Sequence, residues 1–452
     1  MSVASALEPE VRAQTTRKAQ RILGLYDKRC TGCRSCELAC AAAKSGTYDL
    51  SQSRIRVVSS SVNSFSPVTC LQCARPRCLE VCPTGAIVKN ADTGIVSIRE
   101  EKCIGCAMCA LACPYGGMHY SSRDAKVTKC DFCDGDPECV KACATGALED
   151  VNVVPLVDTL YDREDLVSPG LSACLGCNAE LLVRFTLKTL GRNVVFASGP
   201  SCIAGTGFVG YGPTTGAKVP TYHSLLDNYA SMITGTKRYY DQIGKEFHAV
   251  CFAGDGGTAD VGFQSLSAAA ERGENIIYIC YDNEGYMNTG IQRSGTTPRG
   301  AWTTTTPVGA QRRGKPQHKK DVALIMAMHD IPYVATANAA YLDDYYAKLK
   351  RAMEIKDGLS YIHLFSPCPT GWRFPTDKTI EVSRMAVETN FFPLWEADHG
   401  KFKINREVPF PKPVEQYLRL VGKYSHLNRA EIDEIQRDLD RRYKRLVALT
   451  EM

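Results

Sequence analysis

The sequence predicts an α/β protein in two parts, a cysteine-rich α+β module followed by a larger domain built on a parallel β-sheet. Sixteen of the 22 cysteines fall between residues 30 and 143. After a stretch without cysteine, short apolar runs alternate with helical segments, which is typical of parallel α/β sheets. The chain has 452 residues, 44% hydrophobic and 23% charged, close to globular averages, so fibrous and disordered classes are excluded.

The composition also limits the compartment and the partners. No apolar run reaches the roughly 18 to 20 residues that a membrane span needs, and residues 1–20 hold acidic side chains but no apolar signal segment. We therefore expect a soluble, cytoplasmic protein with no membrane span, in which dense cysteine indicates metal or redox chemistry. The formal net charge is +5, without a dense basic cluster interleaved with aromatics, so no nucleic-acid partner is expected.

Residues 1–29 are expected to form an N-terminal arm, and residues 30–150 a domain with four cysteine groups. In each group a fourth cysteine lies four residues after the third. The groups are Cys30, Cys33, Cys36 and Cys40; Cys70, Cys73, Cys78 and Cys82; Cys103, Cys106, Cys109 and Cys113; Cys130, Cys133, Cys139 and Cys143. Three thiolates on one loop can reach three irons of one cubane, while the fourth points away and serves another cluster. Sixteen ligands therefore predict four 4Fe-4S clusters.

Structural zinc and a disulfide scaffold are the alternatives for these cysteines. Zinc favours isolated CxxC pairs with longer gaps, and disulfides need an oxidising compartment. The fourfold repeat favours clusters, since one motif match can be accidental and four seldom are. Between the second and third groups, residues 84–99 predict a short hairpin with Asn90, Asp92 and Gly94 in its turn.

Residues 30–143 resemble the four-cluster ferredoxin subunits of bacterial molybdopterin oxidoreductases and hydrogenase-type electron-transfer chains. The resemblance implies that groups one and four share two clusters and that groups two and three share the other two. The implied sets are Cys143 with Cys30, Cys33 and Cys36; Cys40 with Cys130, Cys133 and Cys139; Cys113 with Cys70, Cys73 and Cys78; Cys82 with Cys103, Cys106 and Cys109. Proline follows the last cysteine only in groups two and three (Pro83, Pro114). Groups one and four, which form the outer pair, have alanine at that place and so depart from the repeat.

Residues 151–170 are expected to form a linker, because they contain Pro155 and Pro169 and no cysteine. Residues 171–400 follow as a separate domain, with five apolar runs that suit strands buried on both faces of a parallel sheet. The candidate strands span 193–198, 248–253, 275–281, 331–337 and 361–366. Cys251 and Cys280 lie inside two of these strands and are expected to be core residues.

Residues 401–452 are expected to form a helical tail. Asn428 and Glu431 have capping-box spacing, and an apolar face follows at intervals of three and four. That face consists of Ile432, Ile435, Leu439, Tyr443 and Leu446. The tail is either a packed terminal helix or a contact for another subunit.

The junction after the strand at 248–253 predicts a ligand site. Gly254, Gly256 and Gly257 predict a tight turn, with Thr258 able to cap the next helix and Gly273 able to end it. Ligands of open α/β sheets bind at such carboxyl-terminal edges. A helix N-terminus attracts an anion while Asp255 would repel a bare phosphate, so both fit if a divalent cation lies between them.

Asn283, after the next strand, can supply an amide oxygen to the same cation. Magnesium diphosphate is the ligand that this arrangement predicts, and a purely structural βα turn is the alternative. Gly-Asp-Gly, then 26 residues, then Asn is similar to the motif by which thiamine-diphosphate enzymes hold their cofactor.

Residues 171 to about 375 resemble the β subunit of the pyruvate:ferredoxin oxidoreductase superfamily. The segments that carry the resemblance, in the family's order, are CLGC (174–177), SGPSC ending at Cys202, the GDG segment, YMNTGIQRSGTTPRGA (286–301) and PCPTGW (367–372). The resemblance implies a further 4Fe-4S cluster beside the cofactor, which makes five in all. Its implied ligands are Cys174, Cys177, Cys202 and Cys368.

The resemblance also implies that Asp255, Asn283 and the carbonyl of Gly285 bind Mg²⁺. It implies that Asn288, Thr289 and Gln292 face the cofactor, with Asn288 as the candidate catalytic residue. The pyruvate branch carries His-Gly-Arg-Ala where this chain has His223-Ser-Leu-Leu. That departure argues against pyruvate as the substrate and leaves His223 without an assigned role.

The implied activity is the oxidative decarboxylation of a 2-oxo acid to its coenzyme A ester. Electrons would leave through the clusters to ferredoxin or, through a flavin subunit, to NAD. Phenylglyoxylate is the favoured substrate, with pyruvate, branched 2-oxo acids and indolepyruvate as alternatives. No pyrimidine-side domain is found, so an α-type partner and a γ-type subunit are expected. A non-catalytic electron-relay subunit with a scaffold thiamine fold is the competing hypothesis, although Asp255, Asn283 and Asn288 argue against it.

Overall fold

A computed structural model of the chain describes residues 20–26, 29–61, 64–73, 76–121, 125–153, 164–209, 216–408 and 410–451. The chain divides into two compact units between residues 162 and 163. Most of the expected N-terminal arm (residues 1–19) and half of the expected linker (residues 154–163) lie outside the described residues. No described helix is long and apolar enough to cross a membrane.

The first unit consists of short antiparallel strand pairs and short helices. Its strands are β1 (Gln20–Leu25), β2 (Arg56–Ser61), β3 (Ser64–Val68), β4 (Ile87–Lys89), β5 (Val96–Ile98), β6 (Met118–Ser121), β7 (Lys126–Lys129) and β8 (Leu148–Val153). Its helices are α1 (Ser35–Ser45), α2 (Arg77–Glu80), α3 (Met108–Ala112) and α4 (Glu138–Lys141). Strand β1 pairs with β8, and each of the other strands pairs with its neighbour in sequence.

The predicted hairpin is confirmed as the β4–β5 pair. The side-chain oxygen of Asn90 accepts hydrogen bonds from the backbone N–H groups of Asp92 (2.8 Å) and Thr93 (2.9 Å). Gly94 has a φ of 71°, and its N–H donates to the carbonyl of Asn90. The turn therefore forms for the reason that the sequence indicated, since Asn stabilises the turn locally and Gly accepts the positive φ.

The second unit is an eight-stranded sheet with helices on both faces. In chain order its elements are α5 (Asn178–Leu190), β9 (Val194–Ser198), α6 (Cys202–Gly205), β10 (Thr221–His223), α7 (Tyr229–Gln242), β11 (His248–Gly254), α8 (Phe263–Glu271), β12 (Ile277–Asp282), α9 (Val322–Ala327), β13 (Tyr333–Asn338), α10 (Leu342–Glu354), β14 (Ser360–Phe365), α11 (Pro369–Trp372), α12 (Thr379–Glu388), β15 (Trp395–Asp398), β16 (Lys401–Ile404), α13 (Val414–Leu420) and α14 (Arg429–Thr450).

The strand order is β10-β9-β11-β12-β14-β13-β15-β16, and the first six strands are parallel. Helices α5 and α10 contribute to the apolar core on one face, and α7, α8 and α9 to the core on the other. All five predicted strands are present, with ends displaced by no more than two residues. The parallel α/β prediction is therefore confirmed, and Cys251 and Cys280 are fully buried in the core as predicted.

The C-terminal residues are part of this second unit. Strand β16 pairs antiparallel with β15, so the expected boundary between residues 400 and 401 falls in the turn of a hairpin. Helix α14 begins with the predicted capping box between Asn428 and Glu431. Its predicted apolar face joins the core through three buried side chains, Ile432, Leu439 and Leu446. Of the two alternatives, the packed terminal helix is therefore the one observed.

Candidate functional site

A cavity opens at the carboxyl ends of β11 and β12. The polypeptide brings to it most of the residues that the sequence predicted as cofactor ligands, together with one cluster cysteine. Its lining includes Cys202, Gly254, Asp255, Asn283, Asn288 and Thr289. The edge of the sheet therefore gathers the two halves of the predicted motif, which are separated in sequence by a helix and a strand.

Three oxygen atoms converge in this cavity. As oriented, the side-chain oxygen of Asn283 faces Asp255 Oδ1 at 3.0 Å and the carbonyl oxygen of Gly285 at 2.8 Å. Three acceptors so close repel one another unless a cation lies among them or the amide turns over. Mg²⁺ at about 2.0–2.1 Å from each ligand places neighbouring oxygens about 2.9 Å apart in an octahedron. The oxygen set therefore fits a bound Mg²⁺, and the roles of these three residues as its ligands stay predictions.

The other end of the Asn283 amide faces an expected cluster cysteine. In the same orientation its nitrogen lies 3.8 Å from Cys202 Sγ. The indole nitrogen of Trp372 donates to the backbone carbonyl of Asn283 at 2.7 Å. Asn283 thus lies between the predicted cation position and the expected cluster ligand Cys202, and its backbone is held by a buried side chain.

Asp255 is 1% exposed and is held by hydroxyl groups. Ser294 Oγ donates to its Oδ2, and Thr296 Oγ1 lies 2.9 Å from the same oxygen and 2.8 Å from Asp282 Oδ1. Burial, followed by the negative charge of Asp282, raises the pKa of Asp255 well above its ordinary value. A buried carboxylate pair of this kind is stabilised by a bound divalent cation.

Asp282 has a compensating partner in His363. The Nε2 atom of His363 lies 2.9 Å from Asp282 Oδ2, and Tyr361 Oη lies 2.8 Å from the other ring nitrogen. Burial acts to raise the pKa of Asp282, but the hydrogen bond and charge of His363 outweigh it and lower that pKa. The two carboxyl groups therefore differ, with Asp282 held in its charged form and Asp255 dependent on a cation.

The turn after β11 differs from the predicted one in its physical basis. Gly254, Gly256 and Gly257 do not have positive φ. Gly256 and Gly257 are needed for space, because a Cβ on Gly256 would lie 2.4 Å from Tyr286 Cε1, and one on Gly257 would lie 2.7 Å from Tyr229 Cε2, whereas a Cβ on Gly254 would come no closer than 3.4 Å to Tyr281. Small residues are therefore required here for close packing, not for a left-handed turn.

The prediction that Thr258 caps the next helix is wrong. Thr258 lies inside a turn of π-helix, Gly257–Val261, and its hydroxyl donates to the carbonyl of Gly254 at 2.8 Å. Helical backbone already begins at Asp255 and Gly256, so Thr258 lies inside the helical segment and not before it, and regular α-helix resumes at Phe263. Gly273, with a φ of 62°, follows the end of that helix as predicted.

The candidate catalytic residue Asn288 is exposed and lines the cavity. It packs on α6, because a Cβ on Gly205 would lie 2.4 Å from Asn288 Nδ2. Thr289 Oγ1 donates to the side-chain oxygen of Gln292 at 2.6 Å, and Gln292 Nε2 donates back to the Thr289 carbonyl at 2.9 Å. Thr289 lines the cavity, whereas Gln292 holds Thr289 in place through these two hydrogen bonds. The predicted contacts of all three residues with a cofactor stay predictions.

His223 ends the edge strand β10 and does not belong to the described lining of the cavity. Burial lowers its pKa below the ordinary value.

The four cysteines expected beside the cofactor come together from distant positions in sequence. Burial raises the pKa of Cys202 to about 12, and the charges of Cys368, Cys177, Asp255 and Cys174 add to the rise. The Cys174–Cys177 loop depends on Gly176, which has a φ of 72° and whose Cβ would lie 2.2 Å from the carbonyl oxygen of Thr376. The geometry can hold one cluster whose ligand Cys202 also borders the cofactor cavity.

The four cysteine groups of the first unit share one backbone conformation. The third cysteine of every group is the second residue of a helix, α1, α2, α3 or α4. The residue two positions after each first cysteine has positive φ; these are Gly32 (73°), Gln72 (50°), Gly105 (71°) and Phe132 (63°). A left-handed residue at that point curls the loop so that its thiols face one centre. Gln72 and Phe132 adopt this left-handed conformation although it is unfavourable for residues other than glycine.

The outer groups approach each other as the nested pairing implies. Burial raises the pKa of Cys36 to about 12, and the nearby thiols of Cys143 and Cys33 add to the rise. Burial also raises the pKa of Cys139, and Cys40 is among the thiols that add to it. The fourth cysteine of each outer group therefore lies near the third cysteine of the other, Cys143 near Cys36 and Cys40 near Cys139.

The inner groups show the same exchange. Burial raises the pKa of Cys78 to about 11, with contributions from Cys70 and Cys113. Cys82 lies in one apolar cluster with Cys109. The ligand roles stay predictions, but each expected set contains cysteines that the fold brings together.

The structure also bears on zinc and disulfides. All 22 cysteines are free, and the described residues contain no group of three His, Cys, Asp or Glu side chains suited to a single metal ion. A cubane binds each thiolate through a different iron, so its ligands lie further apart than those of one zinc ion.

Several residues that support the site were not predicted. Ser294 and Thr296 hold Asp255 but follow it by 39 and 41 residues. The buried Lys423 pairs with Glu284 and lies 3.4 Å above the Trp372 ring, although it is 139 residues from Glu284. Ser294, Thr296 and Trp372 lie within the sequence motifs at 286–301 and 367–372. Lys423 lies outside these motifs, and no local sequence pattern connects it to them.

Comparisons with known proteins match both units. Residues 197–364 match the family model of the C-terminal thiamine-pyrophosphate-binding domain of thiamine pyrophosphate enzymes, and residues 62–152 match the 4Fe-4S dicluster domain. The NADH-dependent phenylglyoxylate dehydrogenase subunit beta of Aromatoleum evansii is 46% identical over 96% of this chain and 98% of its own length.

Two further relatives cover less of the chain. The pyruvate synthase subunit PorB of Methanothermobacter marburgensis is 46% identical over 62% of this chain and 96% of its own length. The ketoisovalerate oxidoreductase subunit VorB of Pyrococcus abyssi is 44% identical over 63% of this chain and 93% of its own length. The similarity over nearly the whole chain therefore includes both units and the site between β11 and β12.

Proposed function

Because this chain belongs to the iron-sulfur, thiamine-diphosphate-binding β subunits of the 2-oxoacid oxidoreductases, we propose that it oxidises phenylglyoxylate with coenzyme A as acyl acceptor. The observation that carries the proposal is the 46% identity over 96% of the chain to a phenylglyoxylate dehydrogenase β subunit. Identity alone does not separate the substrates, since a pyruvate synthase subunit is equally similar over 62% of the chain. The extent of the match favours phenylglyoxylate, with pyruvate-like acids as the alternative.

Asp255, Asn283 and the carbonyl of Gly285 would hold Mg²⁺, and the Mg²⁺ would bind the diphosphate of the cofactor. Bound thiamine diphosphate supplies the carbanion chemistry by which a 2-oxo acid loses CO₂. The three converging oxygens support the cation site, and the cavity beside them supports the cofactor position. Asn288 would contact the reacting end, where its exposed amide can donate or accept a hydrogen bond to the substrate.

Five 4Fe-4S clusters are proposed, one beside the cofactor and four in the first unit. Cys202 supports this arrangement, because it borders the cofactor cavity and lies near three further cysteines. Electrons would leave the cavity through that cluster and be exported by the other four to ferredoxin or, through a flavin subunit, to NAD. A cytoplasmic location fits the reduced state that such thiols need.

An α-type subunit and a γ-type subunit are the proposed partners. Two features support an incomplete site: Asn288 and Thr289 line the cavity and yet are exposed. A partner that covers them would exclude water from the reacting groups, which strengthens their interactions with the substrate.

Steady-state kinetics of the purified complex would test the proposal. Phenylglyoxylate, pyruvate, 3-methyl-2-oxobutanoate and indolepyruvate are each supplied with coenzyme A and NAD, and reduction of NAD is followed. We expect phenylglyoxylate to give the highest kcat/KM. Preference for another acid would overturn the substrate proposal, and no turnover with any acid would favour the relay hypothesis.

Asp255→Ala provides the matched control within the same complex. We expect it to abolish binding of thiamine diphosphate and Mg²⁺ and to abolish turnover while cluster iron stays unchanged. Unchanged turnover in this variant would refute the proposed cation site.

A further inference from the structure

A lysine is buried in the first unit without a carboxylate partner. Lys129, the last residue of β7, is 2% exposed and directly precedes Cys130. Its ammonium donates to the carbonyl of Cys130 at 2.7 Å and to the carbonyl of Val96. Among the described residues no ion pair includes Lys129. A buried charge of this kind is costly unless an opposite charge lies nearby.

The groups around Lys129 are cluster cysteines. Burial raises the pKa of Cys130 to about 11, and the ammonium of Lys129 acts against that rise. The ammonium acts in the same direction on Cys73 and Cys78, which belong to the second cysteine group. Lys129 therefore lies within electrostatic reach of two expected clusters, one of which takes Cys130 and the other Cys73 and Cys78.

Gln72 holds this junction together. Its side-chain nitrogen donates to the carbonyl of Cys130 at 2.9 Å, and its oxygen accepts from the N–H of Val96 at 2.8 Å. Its own N–H donates to Cys70 Sγ at 3.4 Å. Gln72 and Lys129 thus bind the same two residues, Val96 and Cys130, and fix the ammonium between the second and fourth cysteine groups.

The internal repeat shows that the lysine is not needed to form the loop. Thr69 precedes Cys70 as Lys129 precedes Cys130, and it is equally buried. The two loops then make the same hydrogen bond. The N–H of Phe132 donates to Cys130 Sγ at 3.4 Å, and the N–H of Gln72 donates to Cys70 Sγ at 3.4 Å. One loop therefore forms with a neutral threonine, so a cation is not required for the loop. Basic residues also precede Cys30 (Arg29) and Cys103 (Lys102), but both are exposed, so Lys129 differs from them by its burial.

We propose that Lys129 is a fixed cation that raises the reduction potentials of the two clusters at this junction. Their expected ligands are Cys70, Cys73, Cys78 and Cys113 for one, and Cys40, Cys130, Cys133 and Cys139 for the other. The inference rests on the proposed cluster ligands. Reduction adds one negative charge to a cluster, so a buried cation stabilises the reduced form, and burial prevents solvent from screening the effect.

Redox titration of the whole complex, followed by EPR, tests the proposal in the Lys129→Gln variant. Glutamine keeps a donor for the two carbonyls and removes the charge. At an effective dielectric constant of about 20, a unit charge within about 10 Å changes a reduction equilibrium by about tenfold, which for one electron is about 59 mV. We expect two clusters to shift to lower potential by this amount and the other clusters to keep theirs.

Two further variants separate charge from structure. Lys126→Gln removes a charge from the same strand, where Lys126 donates only to the carbonyl of Glu100 at 3.2 Å, and should leave every potential unchanged. Lys129→Arg keeps the charge and should restore the two potentials. If Lys129→Gln does not assemble, Lys129→Thr, which copies residue 69, replaces it.

The outcomes distinguish a failure of the proposed role of Lys129 from a failure of the proposed cluster ligands. Unchanged potentials in a fully iron-loaded Lys129→Gln complex would overturn the role of Lys129, as would an equal shift of all clusters. Loss of the same iron in all three Lys129 variants would also overturn it, since the residue would then be structural. Failure of the cluster assignment would be visible earlier, as a shortfall of iron in the unaltered chain.

Discussion

Replacing Lys423 by methionine should destabilise the second unit and weaken the cation site together. Lys423 pairs with Glu284, and the two side chains are 3% and 0% exposed. Burial lowers the pKa of Lys423 and raises that of Glu284, so both charges depend on each other. Glu284 lies between Asn283 and Gly285, which carry two of the three converging oxygens.

The expected magnitude follows from the burial of the pair. Removing one partner of a buried ion pair costs about 3–5 kcal/mol, because the other charge remains without compensation. At about 2.1 cal/mol/K per residue, the unfolding entropy of a unit the size of residues 163–452 is about 0.6 kcal/mol/K, so the midpoint should fall by about 5–8 °C. The affinity for Mg²⁺ should fall about 10- to 100-fold, as for other groups that orient metal ligands.

Anaerobic thermal unfolding of the complex and Mg²⁺-dependent binding of thiamine diphosphate measure the two effects. Lys412→Met is the matched control, because Lys412 and Glu388 form an exposed pair in the same unit, 47% and 32% exposed. It should cost at most about 1 kcal/mol. The double variant Lys423→Met with Glu284→Gln removes both charges and should recover most of the lost stability.

Two results would show that the buried charges of Lys423 and Glu284 do not depend on each other. One is a midpoint for Lys423→Met within about 2 °C of the Lys412→Met control, smaller than the loss worked out above. The other is a double variant whose loss equals the sum of the two single losses, since the charges would then act independently.

Three further predictions concern single positions. Gly205→Ala should displace Asn288 from α6, where the added Cβ would lie 2.4 Å from its Nδ2, and should lower kcat by about 10- to 100-fold in steady-state kinetics with little change in melting temperature. Gly176→Ala should remove the cluster beside the cofactor, about four irons per chain by iron assay, and an unchanged iron content would contradict the loop argument. The pKa of His399 is raised by hydrogen bonds to two aspartates, so its stabilising contribution is complete below pH 6.5 and is lost as pH rises through the folded-state pKa. His399→Gln should remove that pH dependence from the melting temperature, and a dependence that persists in the variant would contradict the prediction.

The five central strands could be predicted because each is a buried run of apolar residues in a parallel sheet. β12 and β14 are buried at every position, which makes their sequences nearly continuous in apolar residues. Strands β15 and β16 were not predicted, because they lie at the edge and read WEAD and KFKI, with exposed charged positions. Edge strands form through pairing with a neighbour, and such pairing leaves little signal in a local sequence.

The site shows the same division. Asp255 and Asn283 were predictable because each directly follows a strand, so their place at the carboxyl edge of the sheet follows from topology. Thr258 was placed wrongly, since helical backbone begins earlier, at Asp255, and the Thr258 hydroxyl lies inside the π-turn and donates to Gly254. Lys423 could not be predicted, because its pairing with Glu284 arises only when the C-terminal residues fold onto the second unit.

We expect this chain to take electrons from a 2-oxo acid into its own clusters. EPR of the anaerobically purified complex, recorded after addition of phenylglyoxylate and coenzyme A without any other reductant, measures this transfer. We expect reduced 4Fe-4S signals in the unaltered complex and none in the Asp255→Ala variant, although dithionite reduces the clusters of both. Clusters that stay oxidised with every 2-oxo acid, in a complex that binds thiamine diphosphate, would contradict it.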